Sequence, residues 1–187
     1  MRVLRHSLAL VLCVVTCAAQ AAEVSGVRFA EQNSHAGVAL PLRGAGLLTY
    51  FFIKAYASAL YLPADTPSGG WATDVPKCLQ IAYLVGIDGK DFGPAGEKVL
   101  ARMVSAERMR AIKPQLAKID KAYVDIKKGD RYDLCYAPGT GTTLKYNGKA
   151  LTTVPGADFA AIYFNIWLGS KPVDDGLRDR LLALRPK

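Results

Sequence analysis

RGAGLLTYFFIKAYASALYL, residues 43–62, is the stretch that decides the fold of this chain. It is almost wholly apolar and ends before Pro63. Aromatic and β-branched residues dominate its first half, which favours a strand over a helix. We interpret it as a central sheet strand or a pair of strands, opened by a turn at Gly44–Gly46. A buried helix and a membrane span remain alternatives, although Lys54 near the middle of a bilayer would cost ~3 kcal/mol.

Alternation along the same stretch sorts its side chains onto two faces. With a period of two, Lys54 and Tyr56 share one face, while Ala55, Ala57 and Ala59 share the other. Three small side chains in a row leave space on the second face, either for a closely packed helix or for a ligand.

The remainder of the chain predicts further strands and four helices. The strands are predicted at 24–29, 38–42, 78–85, 131–136, 142–146 and 149–154. The helices are predicted at 97–109, 114–126, 158–168 and 175–184. Asn147-Gly148 predicts a tight hairpin turn, and Gly169 predicts a left-handed helix end. Strands, two helices, a hairpin and two more helices indicate an α+β fold, an antiparallel sheet with helices on one face.

Two motifs in the chain resemble the bacterial chalcone isomerase-like family. The first is Gly-Ala-Gly-x-x-Thr at 44–49, followed by Phe-x-Lys-x-Tyr-Ala-x-Ala-Leu-Tyr-Leu at 52–62. The second is Ile-Trp-Leu-Gly-Ser-Lys-Pro-Val-Asp at 166–174. The resemblance covers residues 22–187. It implies an open-faced sandwich, in which a large antiparallel sheet lies under a helical layer with a cleft between them.

The first 21 residues are typical of a secretory signal peptide. Arg2 and Arg5 form a basic start, residues 8–15 are apolar, and Ala19-Gln20-Ala21 is a small-x-small cleavage site. We therefore predict a mature domain of residues 22–187 in the periplasm or outside the cell, with no membrane span after cleavage. Cleavage lowers the formal net charge from +8 to +6. The basic residues are dispersed, so no nucleic-acid partner is predicted.

Two cysteines remain in the predicted mature domain, Cys78 and Cys135. An even pair in an oxidising compartment favours a disulfide, and each cysteine begins or lies within a predicted strand. Two buried free thiols are one alternative, and metal-binding or catalytic cysteines are another.

Candidate catalytic and metal-binding residues are scarce. His35 is the one histidine after residue 21, and its position in a predicted turn indicates a surface residue. The glycines at 44–46 and 139–141 lack the context of a dinucleotide or phosphate loop. No metal site and no cofactor are predicted.

The resemblance also assigns a pocket, position by position. The family's pocket arginine falls on Leu48, and a threonine of the next strand falls on Tyr56. A tyrosine and an asparagine of the pocket helix fall on Phe92 and Val99, and a threonine near the second motif falls on Ile166. Every mapped polar position is therefore apolar here, except Tyr56.

This loss of polar groups argues against chalcone cyclisation, because removing one oxyanion-stabilising donor typically costs ~3 kcal/mol. Our first interpretation is an exported, non-catalytic protein that binds an apolar or amphipathic, fatty-acid-like molecule in the cleft, with Arg43 or Lys54 replacing the missing arginine. A second interpretation is an active isomerase (an intramolecular lyase) with Tyr56 as its acid. A third is a structural envelope protein whose cleft is filled by side chains. The sequence identifies neither the ligand, nor a protein partner, nor the oligomeric state.

Overall fold

A seven-stranded antiparallel sheet is the main element of the computed structural model, which describes residues 22–183. Each strand of this sheet pairs with the next one along the chain, and a separate two-stranded hairpin, β1–β2, precedes it. The strands are β1 (Ala22–Val24), β2 (Val27–Phe29), β3 (Gln32–His35), β4 (Val38–Tyr50), β5 (Ile53–Tyr61), β6 (Lys77–Tyr83), β7 (Arg131–Ala137), β8 (Gly141–Tyr146) and β9 (Lys149–Val154). The predicted signal peptide lies outside the described residues.

Within residues 22–183, six α-helices and one short 3₁₀ turn complete the fold. The helices are α1 (Gly89–Leu100), α2 (Ala106–Ala111), α3 (Lys113–Asp120), α4 (Ala157–Tyr163), α5 (Asn165–Leu168) and α6 (Asp175–Leu181). The 3₁₀ turn, Gly70–Ala72, carries the buried Trp71. Buried side chains from these helices, except α2, and from one face of the sheet form the larger core. The α+β class and the layered arrangement are as predicted. No helix within 22–183 has the length and apolarity needed to cross a membrane.

The deciding stretch forms the strand pair β4–β5, which turns at Phe51 and Phe52. The predicted turn at Gly44–Gly46 is wrong, because these residues lie inside β4. Their role is close packing: a Cβ added to Gly44 would lie 2.7 Å from the carbonyl oxygen of Leu181 in α6. The glycines therefore let α6 approach the strand.

The space predicted beside the alanines of β5 is filled by the N-terminal segment. Ala57 and Ala59 belong to a second, smaller core on the opposite face of the sheet, together with Phe29 and Leu40. Residues of β1, β2 and β4 pack beside Ala57 and Ala59 there, whereas Ala55 packs against the larger core and lines a cavity on the helical side of the sheet. The predicted strand at 24–29 is in fact the β1–β2 hairpin, which contributes to covering this face.

His35 corrects the prediction of a surface histidine. It lies on β3, the edge strand formed by residues predicted to be a turn, and its side chain is buried. Burial lowers the pKa of His35, and the charge of Lys145 lowers it further.

The helix boundaries differ from the predicted ones where glycine is involved. The helix predicted at 97–109 begins earlier, at Gly89, and ends at Leu100, and residues 106–109 belong to the separate helix α2. The glycines of α1 allow close helix packing. A Cβ on Gly93, for instance, would lie 2.8 Å from Cγ of Asp120 in α3. The helix predicted at 114–126 ends at Asp120. The helix at 158–168 is divided into α4 and α5, and Gly169 after it is extended, with φ −74° and ψ −175°, rather than left-handed.

Cys78 of β6 and Cys135 of β7 form the predicted disulfide. The two residues are direct cross-strand partners, which places their Cα atoms 4.0 Å apart. Both belong to the smaller core and are almost completely buried. The predicted Asn147-Gly148 turn is also confirmed, since both residues have positive φ.

Candidate functional site

A cavity of about 300 Å³ lies between the sheet and the helices. The strands supply an apolar and aromatic wall that includes Leu48, Tyr56, Ile81, Tyr83, Tyr132 and Leu144. The helices supply a second wall that includes Phe92, Gly96, Val99, Tyr163, Ile166 and Trp167. The volume is at the lower end of the range for small-molecule pockets, which are usually lined in this way.

Five of the predicted site residues line this cavity together: Leu48, Tyr56, Phe92, Val99 and Ile166. Leu48 of β4 and Tyr56 of β5 are direct cross-strand partners and therefore lie on the same face of the sheet. The other three come from α1 and α5. The structure thus brings these residues to one place, while their role in binding stays a prediction.

Lys54 and Arg43, the two candidates for a cationic site residue, do not line the cavity. Each lies beside or within a β-bulge of the β4–β5 pair. The β4–β5 register shifts by one residue at Ala55, so Lys54 pairs with Thr49, away from the face of Tyr56. Lys54 is exposed. A second shift makes Arg43 the unpaired residue of another bulge. Arg43 precedes Leu48 by five residues, roughly 16 Å along the strand.

Tyrosine hydroxyls are the main polar groups of the cavity lining. Tyr56 accepts a hydrogen bond of 3.0 Å from the indole N–H of Trp167, which leaves its own hydroxyl hydrogen free to donate. Tyr123 and Tyr163 share a hydrogen bond of 2.8 Å between their hydroxyls. Burial raises the pKa of all three tyrosines, so each is a neutral phenol at physiological pH.

Most of the aromatic residues that line the cavity were not predicted from the sequence. Tyr83 packs edge-on against Tyr56 and Tyr132, with ring centroids 5.6 and 6.0 Å apart. Phe92 stacks on Tyr123 at 4.7 Å. The sequence did contain a signal for these residues. Every second residue of β6 and β7 faces the helices, and on that face an aromatic residue lies near one end of each strand.

Charge is nearly absent from the cavity. Within the described part of the chain, no lysine, arginine or histidine lines it, and Asp91 is its one charged lining residue. Asp91 is exposed, as are the lining residues Tyr50 and Ala95. These three residues mark the mouth, where the cavity opens to solvent. Residues 22–183 also contain no cluster of side chains arranged to hold a metal ion.

The carboxyl group of Asp120, at the end of α3, has a raised pKa and lies next to α1, which forms part of the helical wall of the cavity. Burial raises the pKa of Asp120 to about 6, and the charge of Glu97 adds to the increase. The carboxyl packs against Gly93 of α1. Because the folded state favours the protonated acid, this site costs no stability below about pH 4 and becomes increasingly destabilising as the pH rises from there to about 6.

Replacing Asp120 with asparagine is therefore expected to stabilise the protein near pH 8 but not near pH 4. We expect a gain of about 1 kcal/mol in the free energy of unfolding, reduced by solvent screening because Asp120 is only half-buried. Urea unfolding at both pH values measures it. Glu97→Gln is the control and should give a smaller gain, since burial is the main cause. An equal gain at both pH values would assign the effect to packing.

Known proteins resemble this chain in sequence family and in fold. The chain matches a family model described as chalcone isomerase-like over residues 21–183. It is similar in structure to a fatty-acid binding protein of Arabidopsis thaliana, with a TM-score of 0.63 and 15% sequence identity over 84% of this chain and 92% of that one. At this identity the similarity shows the fold. No curated protein sequence matches the chain.

Proposed function

This chain belongs to the chalcone isomerase-like family, and from that premise we propose that it is an exported, non-catalytic protein that binds an apolar or amphipathic small molecule. The observation that carries the proposal is the cavity of about 300 Å³ with its apolar and aromatic walls. A cleft filled by side chains would leave no such space. The similar Arabidopsis protein is a fatty-acid binding protein, which supports a ligand with an alkyl chain.

The charge of the cavity limits what the polar end of that ligand can be. An ionised carboxylate buried here would find no cationic side chain among the described lining residues, and it would enter past Asp91. Burying an unpaired charge is strongly unfavourable. The hydroxyls of Tyr56 and its neighbours suit a neutral oxygen atom instead, such as that of an alcohol, an ester or a protonated acid.

The same residues argue for binding rather than isomerisation. Cyclisation of a chalcone-like ketone needs donors aimed at the oxygen atom that becomes negative. Tyr56 is the one mapped polar position, and after it accepts a hydrogen bond from Trp167 it has a single hydroxyl hydrogen to donate. Lys54 and Arg43, the candidates for electrostatic support, lie away from the cavity. Measurable turnover of a chalcone by the purified protein would contradict the proposal.

We expect a long-chain fatty alcohol to bind at least about 10-fold more tightly than the fatty acid of equal length at neutral pH, because only the acid must bury a charge. Isothermal titration of delipidated protein with both ligands measures the difference. Titration at a pH low enough to protonate the acid is the control, and there the two affinities should converge. Binding of neither ligand would refute the proposed function.

A further inference from the structure

The turn between β4 and β5 exposes four consecutive apolar residues, which we call the aromatic tip: Tyr50, Phe51, Phe52 and Ile53. Their exposed fractions are 67, 75, 99 and 57%. Such a cluster at the end of a hairpin does not contribute to the core. Large apolar side chains grouped together on a surface usually mark a site of interaction.

The backbone of the aromatic tip disfavours the residues it carries. Phe51 and Phe52 have φ values of +43° and +66°, the left-handed region that a two-residue hairpin turn requires at both positions. Asparagine and glycine suit this turn, and the chain uses that pair at Asn147-Gly148. Two phenylalanines therefore occupy a conformation that favours other residues, at a place where they bury almost nothing.

The aromatic tip is continuous with the mouth of the cavity. Tyr50 belongs to both, since it lines the cavity and stands at the start of the turn. Its ring packs edge-on against Phe51, with centroids 4.6 Å apart. Ile53 is the direct cross-strand partner of Tyr50 and lies on the same face. An apolar surface thus runs from the outermost residue of the hairpin to the cavity.

We infer that the aromatic tip inserts into the surface of a lipid bilayer, with the cavity mouth held at the bilayer surface. Aromatic and branched apolar side chains on a protruding finger suit the interface between head groups and acyl chains. The exposed Lys54 follows the aromatic tip, and residues 22–187 have a formal net charge of +6, so the exported protein as a whole is attracted to an anionic membrane.

Binding to vesicles tests this inference, using ligand-free protein of residues 22–187 so that the result does not depend on the cavity. The test variant is Phe51→Asn with Phe52→Gly, which installs the residue pair that the turn prefers. We expect it to be at least as stable as the wild type yet to bind phosphatidylcholine vesicles roughly 10- to 100-fold less tightly. Val38→Thr, an exposed apolar position at the other end of β4, is the matched control and should bind as the wild type does.

A second measurement distinguishes insertion from adsorption. Phe52→Trp should be quenched by phospholipids with brominated acyl chains, against a background of two buried tryptophans, Trp71 and Trp167. Adding phosphatidylglycerol should strengthen binding of wild type and variant alike.

Three results would overturn the inference. The first is wild-type protein that does not bind either kind of vesicle, and the second is equal binding by the double variant. The third is lipid-free self-association of the wild type that the double variant abolishes, which would identify a second copy of the chain as the occupant of the aromatic tip.

Discussion

Reduction of the Cys78–Cys135 disulfide is expected to lower the free energy of unfolding by about 4 kcal/mol. The two cysteines are separated by 57 residues, so the bond closes a long loop in the unfolded chain and lowers its conformational entropy. The residues within that loop include α1, whose Phe92 packs on Tyr83 and Tyr132 at the cavity, and α3, which contacts β9. A loss of this size is a large part of the 5–15 kcal/mol that stabilises a typical domain.

Denaturant unfolding of residues 22–187, with and without a reducing agent, measures this loss. A shift of the melting temperature by roughly 8–16 °C should accompany it for a chain of this length. The control is a variant with Cys78→Ala and Cys135→Ala, which should resemble the reduced wild type and be insensitive to the reductant. Alkylation of both cysteines in unreduced, denatured protein would show that no bond had formed.

The main sheet was predictable where the local sequence and the tertiary structure favour the same backbone conformation. Asn147-Gly148 encodes its turn directly, because both positions need positive φ. The turn at Phe51-Phe52 was not predictable as such, since neither residue is a turn former. An apolar run without punctuation predicts a strand or a strand pair equally well, and the structure decides for the pair.

Glycine was the main source of error in the predicted turns and helix boundaries, because it serves either for its backbone freedom or for its small size. Gly44 was interpreted as a turn signal, yet neither Gly44 nor Gly93 has a positive φ. Each is instead a place where another element comes too close for a Cβ, α6 at Gly44 and Asp120 at Gly93. A single sequence does not distinguish a glycine needed for its backbone freedom from one needed for its small size.

The candidate site was predictable only in part. The family resemblance assigned Leu48, Phe92 and Ile166 to a pocket, and all three line the cavity, while their role in binding stays a prediction. The prediction from alternation failed for Lys54, because a one-residue bulge at Ala55 reverses the faces beyond it. Nothing in the local sequence marks that bulge.

Replacing Leu48 with arginine is expected to raise the affinity for a long-chain fatty acid about 10- to 100-fold at neutral pH. Leu48 lies directly opposite Tyr56 on the same face of the sheet, and both residues line the cavity. A guanidinium group here would supply the cation that the described lining lacks, and the free hydroxyl hydrogen of Tyr56 would supply a second donor to the carboxylate. A hydrogen bond to a charged group contributes roughly 1.5–3 kcal/mol.

Stability should change together with affinity. Without ligand, the new arginine is a buried charge with no partner, so the apo variant should unfold more easily than the wild type. Saturation with fatty acid should restore stability, because the ligand binds only the folded state. Thermal unfolding with and without ligand, beside isothermal titration, measures both effects on the same protein.

Three controls separate charge recognition from a change of shape. Leu48→Met keeps the position apolar and should leave fatty-acid affinity near that of the wild type. The fatty alcohol should gain nothing from Leu48→Arg, because it has no charge to neutralise. Adding Tyr56→Phe to the arginine variant should remove part of the gain. An arginine variant that is as stable as the wild type and binds the acid no better would show that residue 48 does not face the ligand, and the pocket positions taken from the family would then be wrong.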